Sequence, residues 1–467
     1  MVFSSLTFLF FFLPACLLVY YAFAERQIRN LILTLFSLLF YAWGEPIWVS
    51  LLIFTAVMDY KIGMLIERYR LHPIYAKLGL MGSIAINLAL LVSFKYADLI
   101  VDTVNALTNA DFGKPGLLLP IGISFYTFQS MSYIVDVHRG EVAAQKKFLN
   151  YLLFVVSFHQ LVAGPIVRYA HIAREIEERV FSFDEFSHGV ARFTKGLFKK
   201  VYFANVAGEL AGQFLGLDAD QTTVYGEWFG LLMFSLQIYF DFSGYSDMAI
   251  GLGHMFGFSY HENFNHPYMA KSITDFWRRW HISLGSFFRD YVYIPLGGNR
   301  KNQTFNIMLV WGLTGLWHGA SWNFVLWGLY FGVILLIEKN FLLESLSRLP
   351  VAVSHVYALF LIYLGWGIFY FTDLHQLVLT FQTMWGLSEA PLSNFELTAA
   401  VKANLYWLVL ALVCCTPIYR RVHQKLNQQL APSTYRYTVI VQSLLFLVIS
   451  VLLLVGKTYN PFIYFRF

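Results

Sequence analysis

Long apolar runs recur from one end of the chain to the other, separated by short polar and basic clusters. They fall near 6–24, 31–43, 47–66, 81–104, 117–137, 149–164, 201–216, 227–253, 305–317, 322–337, 351–372, 402–419 and 438–456. A helical run of ~20 residues matches the ~30 Å hydrocarbon core of a bilayer, so most of these runs read as spanning helices. The runs 31–43 and 305–317 hold about 13 residues and reach only about 20 Å as helix, a length typical of buried or re-entrant segments.

Basic residues assign the sides, because Lys and Arg collect in cytoplasmic loops. Arg26 and Arg29 follow the first run, and Arg68, Arg70 and Lys77 follow the third. Arg139, Lys146 and Lys147 follow the fifth, and Arg168, Arg174, Arg192, Lys195, Lys199 and Lys200 fill 168–200. Arg420, Arg421, Lys425 and Arg436 precede the last run. The segments 105–116 and 374–400 hold only Lys114 between them. All the basic loops share one side if 149–164 enters and returns, and if 305–317 and 322–337 form a re-entrant hairpin. This arrangement predicts an all-α polytopic membrane protein with ten spans, re-entrant helices and both termini outside. It places His318 at the hairpin tip, deep in the membrane. The mixed-charge loop 168–200 is amphipathic and suits an interfacial helix. The first run lacks a basic stretch before it, so it reads as a retained span and not as a cleaved signal.

Composition agrees. Hydrophobic residues make up 58% of the 467 and charged residues 13%, against about 25% charged in a soluble domain. A net charge of +5 in such a chain reflects its cytoplasmic loops and does not point to nucleic acid. Cys16, Cys414 and Cys415 provide neither a disulfide framework nor metal-ligand spacing. No repeat or linker divides the chain, so 1–467 reads as one membrane-embedded domain with a catalytic core near 117–337.

Soluble-enzyme motifs are missing. Gly244-Tyr245-Ser246 and Gly319-Ala320-Ser321 lack the closing glycine of a nucleophile elbow. His261 and His266 stand five apart, so they leave one helical face and form no zincin pair. What remains is polar chemistry inside apolar surroundings, which is expensive in lipid and usually faces a cavity or a partner. Two histidines head this group. His281 lies in D-F-W-R-R-W-H-I-S-L, beside Arg278, Arg279 and Trp280, and His318 lies in L-T-G-L-W-H-G-A-S-W-N, beside Trp317 and near Asn323. A neutral imidazole takes a proton from a hydroxyl near neutral pH, so one histidine suits a general base and the other an orienting or charge-stabilising role. Arg278 and Arg279 suit the phosphates of a cytoplasmic donor. Asp241, Tyr245 and Asp247 in the 227–253 run and Gln129 in 117–137 suit the lining of the same cavity. Interhelical hydrogen bonding is the plainer role for these last four.

These stretches together resemble the membrane-bound O-acyltransferase family. The resemblance rests on L-P-I-G-I-S-F-Y-T-F at 119–128, L-V-A-G-P-I-V-R at 161–168 and Y-F-D-F-S-G-Y-S-D-M-A-I-G-L-G at 239–253. It continues through F-W-R-R-W-H-I-S-L at 276–284, G-L-W-H-G-A at 315–320 and the closing P-F-I-Y-F-R-F. It implies helices around a central tunnel, with His318 as the essential residue and His281 as the second polar position. It further implies acetyl-CoA as a donor substrate with no permanently bound cofactor or metal. The nearest branch comprises bacterial inner-membrane subunits that O-acetylate exported polysaccharides, alginate among them, with a periplasmic esterase-like (SGNH) partner. The D-alanyl transferase branch for cell-wall polymers is similar, and Ile294 to Arg300 (I-P-L-G-G-N-R) argues against it here. A lipid-linked sugar transporter is the rival of another class, but the paired repeats common in transporters are missing.

Overall fold

The computed structural model describes residues 1–217, 221–456 and 463. Among them every regular element is helical. The chain forms two compact units, Met1–Phe193 with Tyr245–His261, and Thr194–Gly244 with Glu262–Phe467. Most of the closing P-F-I-Y-F-R-F motif lies outside the described residues.

The first unit is built on rings. Phe8, Phe12, Phe40 and Phe158 lie with centroids 5.4–6.1 Å apart, within the range in which aromatic pairs add to simple burial. The Val49–Arg68 helix carries Asp59, fully buried. Ser83 and Asn87, one turn apart on Pro73–Leu91, donate to its carboxylate at 2.6 and 3.0 Å. These bonds offset the cost of burying the carboxylate. The run 149–164, expected from the basic loops to enter and return, is broken into two helices. Phe148–Val156 ends at Ser157, whose ψ of 112° is not helical, and Phe158–Leu161 follows. A nine-residue helix rises only about 13 Å and cannot cross alone.

The second unit contains the histidine-bearing hairpin. Gln303–His318 packs on Trp322–Ile337 across the short link 319–321. Two glycines bring the backbones together. A Cβ on Gly315 would stand 2.2 Å from the Phe324 carbonyl oxygen, and one on Gly328 would stand 2.2 Å from that of Trp311.

Six described helices are long and apolar enough to cross a membrane: Val49–Arg68, Pro73–Thr108, Trp322–Arg348, Val351–Tyr370, Phe395–Cys414 and Pro432–Val455. Five of them match expected spans, so the count of ten is not confirmed. The expected span 117–137 shortens to the helix Ile123–Arg139, because Pro120 lacks an amide hydrogen and Gly122 takes φ 78°. The expected hairpin also differs in its second leg. Trp322–Ile337 continues through a π-helical turn at Glu338–Leu342 to Arg348, giving a helix that can cross and not a short return.

The loop 168–200 is helical. Tyr169–Glu178 buries Tyr169, Ile172 and Ile176 on one face, at helical spacing. Phe183–Phe198 then runs on through Lys199–Ala204 into Asn205–Phe214, so the basic loop and the next apolar run form one continuous helix.

Candidate active site

Both candidate catalytic histidines lie in the second unit, and both are buried. His318 is the last helical residue of its leg, because Gly319 turns the chain into an extended conformation. A Cβ at Gly319 would meet the Phe324 ring at 2.2 Å, so glycine is required where the chain leaves the histidine. The imidazole lies edge-to-face with Trp317, Trp327 and Phe369 at 5.0, 5.0 and 5.4 Å between centroids. Asn323 starts the opposite leg and is fully buried. Its amide donates to the carbonyls of Ile368 and Phe369, each at 3.2 Å. Asn323 thus holds the end of Val351–Tyr370, and with it the Phe369 ring, against His318.

His281 is positioned by the backbone. It takes φ 44°, an unusual value for a residue with a side chain, just before the Ile282–Phe288 helix. Its ring lies 4.6 Å from Phe242 and 5.6 Å from Trp317. Trp317 therefore packs against both imidazoles. Nδ1 of His281 is 3.2 Å from Asn263 Oδ1. That oxygen also accepts from the Ser283 amide at 3.2 Å and the Ser283 hydroxyl at 2.9 Å. A backbone amide can only donate, so the Asn263 atom is an acceptor, and it pairs with the tautomer that carries hydrogen on His281 Nδ1. The Ser283 hydroxyl, 3.4 Å from the same nitrogen, can donate to it in the other tautomer. Burial, and then the neighbouring His318, push the His281 imidazole well below its ordinary value, so the neutral ring prevails.

A cavity of about 520 Å³ opens beside these residues in the same unit, lined by Arg278, Trp280, His281, Ser286, Arg289 and Thr314 among others. The two arginines expected to act alike diverge. Arg278 is exposed and lines the cavity. Arg279 is held by Asp275, Nε to Oδ1 at 2.8 Å, and lies outside the lining. Trp280 is buried against Phe276 and Trp366 at 5.5 and 4.8 Å.

The remaining candidates are engaged in structural pairs or belong to the other unit. Asp241 forms a buried ion pair with Lys200 at 2.8 Å and accepts the Ile463 amide at 2.8 Å. Asp247 pairs with Arg192 at 2.9 Å in the first unit. Tyr245 stacks on Phe3 at 4.7 Å, and Gln129 is fully buried, both also in the first unit. Among the described residues no group of three His, Cys, Asp or Glu side chains is placed to hold a metal. Sequence reasoning missed Asn263 and Arg289. Asn263 stands 18 positions before His281, and no regular spacing connects them.

Residues 124–343 match the model of the membrane-bound O-acyltransferase family. A probable alginate O-acetylase, AlgI, of Pseudomonas putida is 38% identical over 490 aligned residues, covering 100% of both chains. The chain belongs to the membrane-bound O-acyltransferase family. It is an O-acyltransferase whose apolar helices make it a multi-pass membrane protein. A peptidoglycan O-acetyltransferase of Helicobacter pylori is 33% identical, over 86% of this chain and 83% of that one. A teichoic acid D-alanyltransferase of Bacillus subtilis is 27% identical over 46% of this chain and 58% of that one. In this family member, His281 lines the arginine-bearing cavity, and Trp317 packs between its ring and that of His318.

Proposed function

We propose that this membrane O-acyltransferase moves acetyl from a cytoplasmic thioester, acetyl-CoA, to hydroxyls of an exported polysaccharide such as alginate. The observation that carries the reading is the pair of buried imidazoles packed on one indole, one of which, His281, lines a cavity together with Arg278 and Arg289. In this reading the cavity takes the thioester end of the donor, and the guanidinium groups meet its phosphates. The donor is a substrate, and no resident cofactor is needed.

His318 acts as general base. Its neutral ring takes the proton of the attacking hydroxyl, which belongs to the carrier that passes acetyl on to the polymer, as the new C–O bond forms at the thioester carbonyl carbon. The C–S bond then breaks, and the imidazolium returns the proton to the leaving thiolate, so the ring ends neutral. His281, held at Nδ1 by Asn263, orients the donor and supports the charge that develops on the carbonyl oxygen. Asn323 and Trp317 are positioning residues for His318. The aromatic surroundings keep water away and strengthen these polar interactions.

A polymer finished outside the cell must be acetylated outside, whereas acetyl-CoA cannot cross lipid. The route therefore runs from the inner face of the cytoplasmic membrane to the outer, and a periplasmic esterase-like (SGNH) partner hands the acetyl group to the polymer. The test is ester content of the exported polymer in cells that express wild type or His318→Ala at equal membrane levels. Acetylation should depend on His318. Equal ester content in the two strains would overturn the reading.

A further inference from the structure

The C-terminal part of the second unit carries positive charge that the catalytic proposal does not use. From Leu397 to Gly456 the sequence contains no Asp or Glu, yet it holds Lys402, Arg420, Arg421, Lys425 and Arg436. Three of these lie on one helix, Ile418–Gln429, none of whose residues is buried. That helix joins two helices able to cross a membrane, Phe395–Cys414 and Pro432–Val455. A connector between two spans lies at a membrane face, and its basic residues assign it to the cytoplasmic one. The helix is amphipathic. Ile418, Val422 and Leu426 recur every fourth residue, with Arg421 and Lys425 beside that stripe. Ile418 and Val422 are 44% and 49% exposed, as expected of side chains that enter the acyl boundary.

A second element adds to this charge. Lys195 and Lys199, one turn apart, end the Phe183–Phe198 helix and begin the turn that follows. The Lys195 ammonium lies 5.9 Å from the Tyr419 ring centroid. His266, whose Nδ1 is buried, lies on the loop before the Ile282–Phe288 helix. Its burial lowers its proton affinity, and Lys199, Arg420 and Lys195 lower it further.

We infer that this surface binds the phosphate headgroup of an anionic phospholipid of the inner leaflet, with the Ile418–Gln429 helix lying along the bilayer. The chemistry fits: guanidinium and ammonium donors meet phosphate oxygens while the apolar stripe meets acyl chains. The same loop that receives this charge also holds the histidine site. Asn263 accepts from His281, and the Asn265 amide donates to the Arg279 carbonyl at 2.9 Å, within three residues of His266. A headgroup held between the Ile418–Gln429 helix and Lys195 and Lys199 therefore steadies the neighbouring loop that carries Asn263, so acyl transfer depends on anionic lipid.

The test uses the full chain in nanodiscs of phosphatidylcholine alone or mixed with phosphatidylglycerol. Native mass spectrometry should detect retained phosphatidylglycerol on wild type. Lys199→Gln/Arg420→Gln/Arg421→Gln/Lys425→Gln should retain at least about tenfold less, given the roughly additive attraction of each basic residue. The charge-conserving Lys199→Arg/Arg420→Lys/Arg421→Lys/Lys425→Arg variant should behave as wild type, which separates charge from misfolding. Acetyl-CoA turnover should rise with phosphatidylglycerol in wild type and not in the glutamine variant. Equal lipid retention by wild type and the glutamine variant would overturn the site. Complete displacement of phosphatidylglycerol from wild type by millimolar inorganic pyrophosphate would assign the charge to soluble phosphates and also overturn it. Lipid retention is read without turnover, so this result stands apart from the acyl-transfer proposal.

Discussion

Asn263 Oδ1 stands 3.2 Å from His281 Nδ1, and the Ser283 amide and hydroxyl donate to the same oxygen. This acceptor favours the tautomer of a buried imidazole that carries hydrogen on Nδ1, as outer partners of functional histidines commonly do. Asn263→Ala should lower kcat by about ten- to a hundredfold with little change in KM, a loss of the size expected for misplacing a catalytic group. A steady-state comparison of the two proteins decides it. A raised KM with unchanged kcat would make Asn263 a binding residue only.

The same pair gives a pH prediction. Burial and His318 hold the His281 imidazole well below its ordinary value, so its neutral form persists below pH ~6.5. The His281-dependent part of wild-type turnover should therefore stay level as pH falls through that value. In Asn263→Asp a carboxylate would face the ring and favour its charged form. Its neutral fraction then falls earlier, and turnover should decline at higher pH than in wild type. Superimposable pH profiles would refute the coupling.

His318 should be indispensable. His318→Ala should lose at least ~10²-fold in acetyl transfer, the low end of general-base contributions. Single-turnover loss of the acetyl-CoA thioester in the presence of the periplasmic partner and an oligosaccharide acceptor measures this without export. Near-normal transfer by a folded variant would remove His318 from the chemistry.

The two adjacent arginines should separate. Arg278 lines the cavity, and Arg278→Gln should raise KM for acetyl-CoA by about three- to tenfold at unchanged kcat, as for a partly solvated charge-assisted bond. Arg279 is tied to Asp275, and Arg279→Gln should leave KM for the donor unchanged. Matching KM values for the two variants would dissolve the distinction.

Hairpin packing should be intolerant. A Cβ at Gly315 or Gly328 meets a carbonyl oxygen of the facing leg at 2.2 Å, so the legs must separate. Gly328→Ala should destabilise the protein by about 1–3 kcal/mol, the usual cost of overpacking, seen as a lower melting temperature in detergent. An unchanged melting temperature would show that the legs have room.

Sidedness is testable by cysteine labelling in a background without Cys16, Cys414 and Cys415. The basic loop carrying Ser182 should be protected from an impermeant thiol reagent in intact cells, and exposed Ser388 should react. The reverse pattern would invert the topology and the direction of acetyl transfer.

Hydrophobic patterning alone determined that this is a helical membrane protein, because a bilayer demands long apolar helices with internally satisfied backbones. With the basic loops it marked 149–164 as a segment that does not cross in one helix, 168–200 as amphipathic and 305–317 with 322–337 as a hairpin, although the second leg proved long enough to cross. Residue chemistry singled out His281 and His318, since a titratable ring in apolar surroundings needs a reason. The span count was not legible. Helix length depends on polar residues that continue a helix past its apolar run, as from Ile337 to Arg348, and on breakers such as Pro120 and Gly122. The roles of polar residues were not legible either. Asp241 and Asp247 looked alike, yet each is neutralised by a cation, Lys200 and Arg192, brought by another helix. Arg278 and Arg279 are neighbours in sequence, and only the fold turns one toward the cavity and the other toward Asp275. The acceptor that meets His281 Nδ1 came from a loop with no periodic relation to it. Periodicity records which face of an element is buried, but hydrogen-bond partners across elements are chosen only when the helices pack.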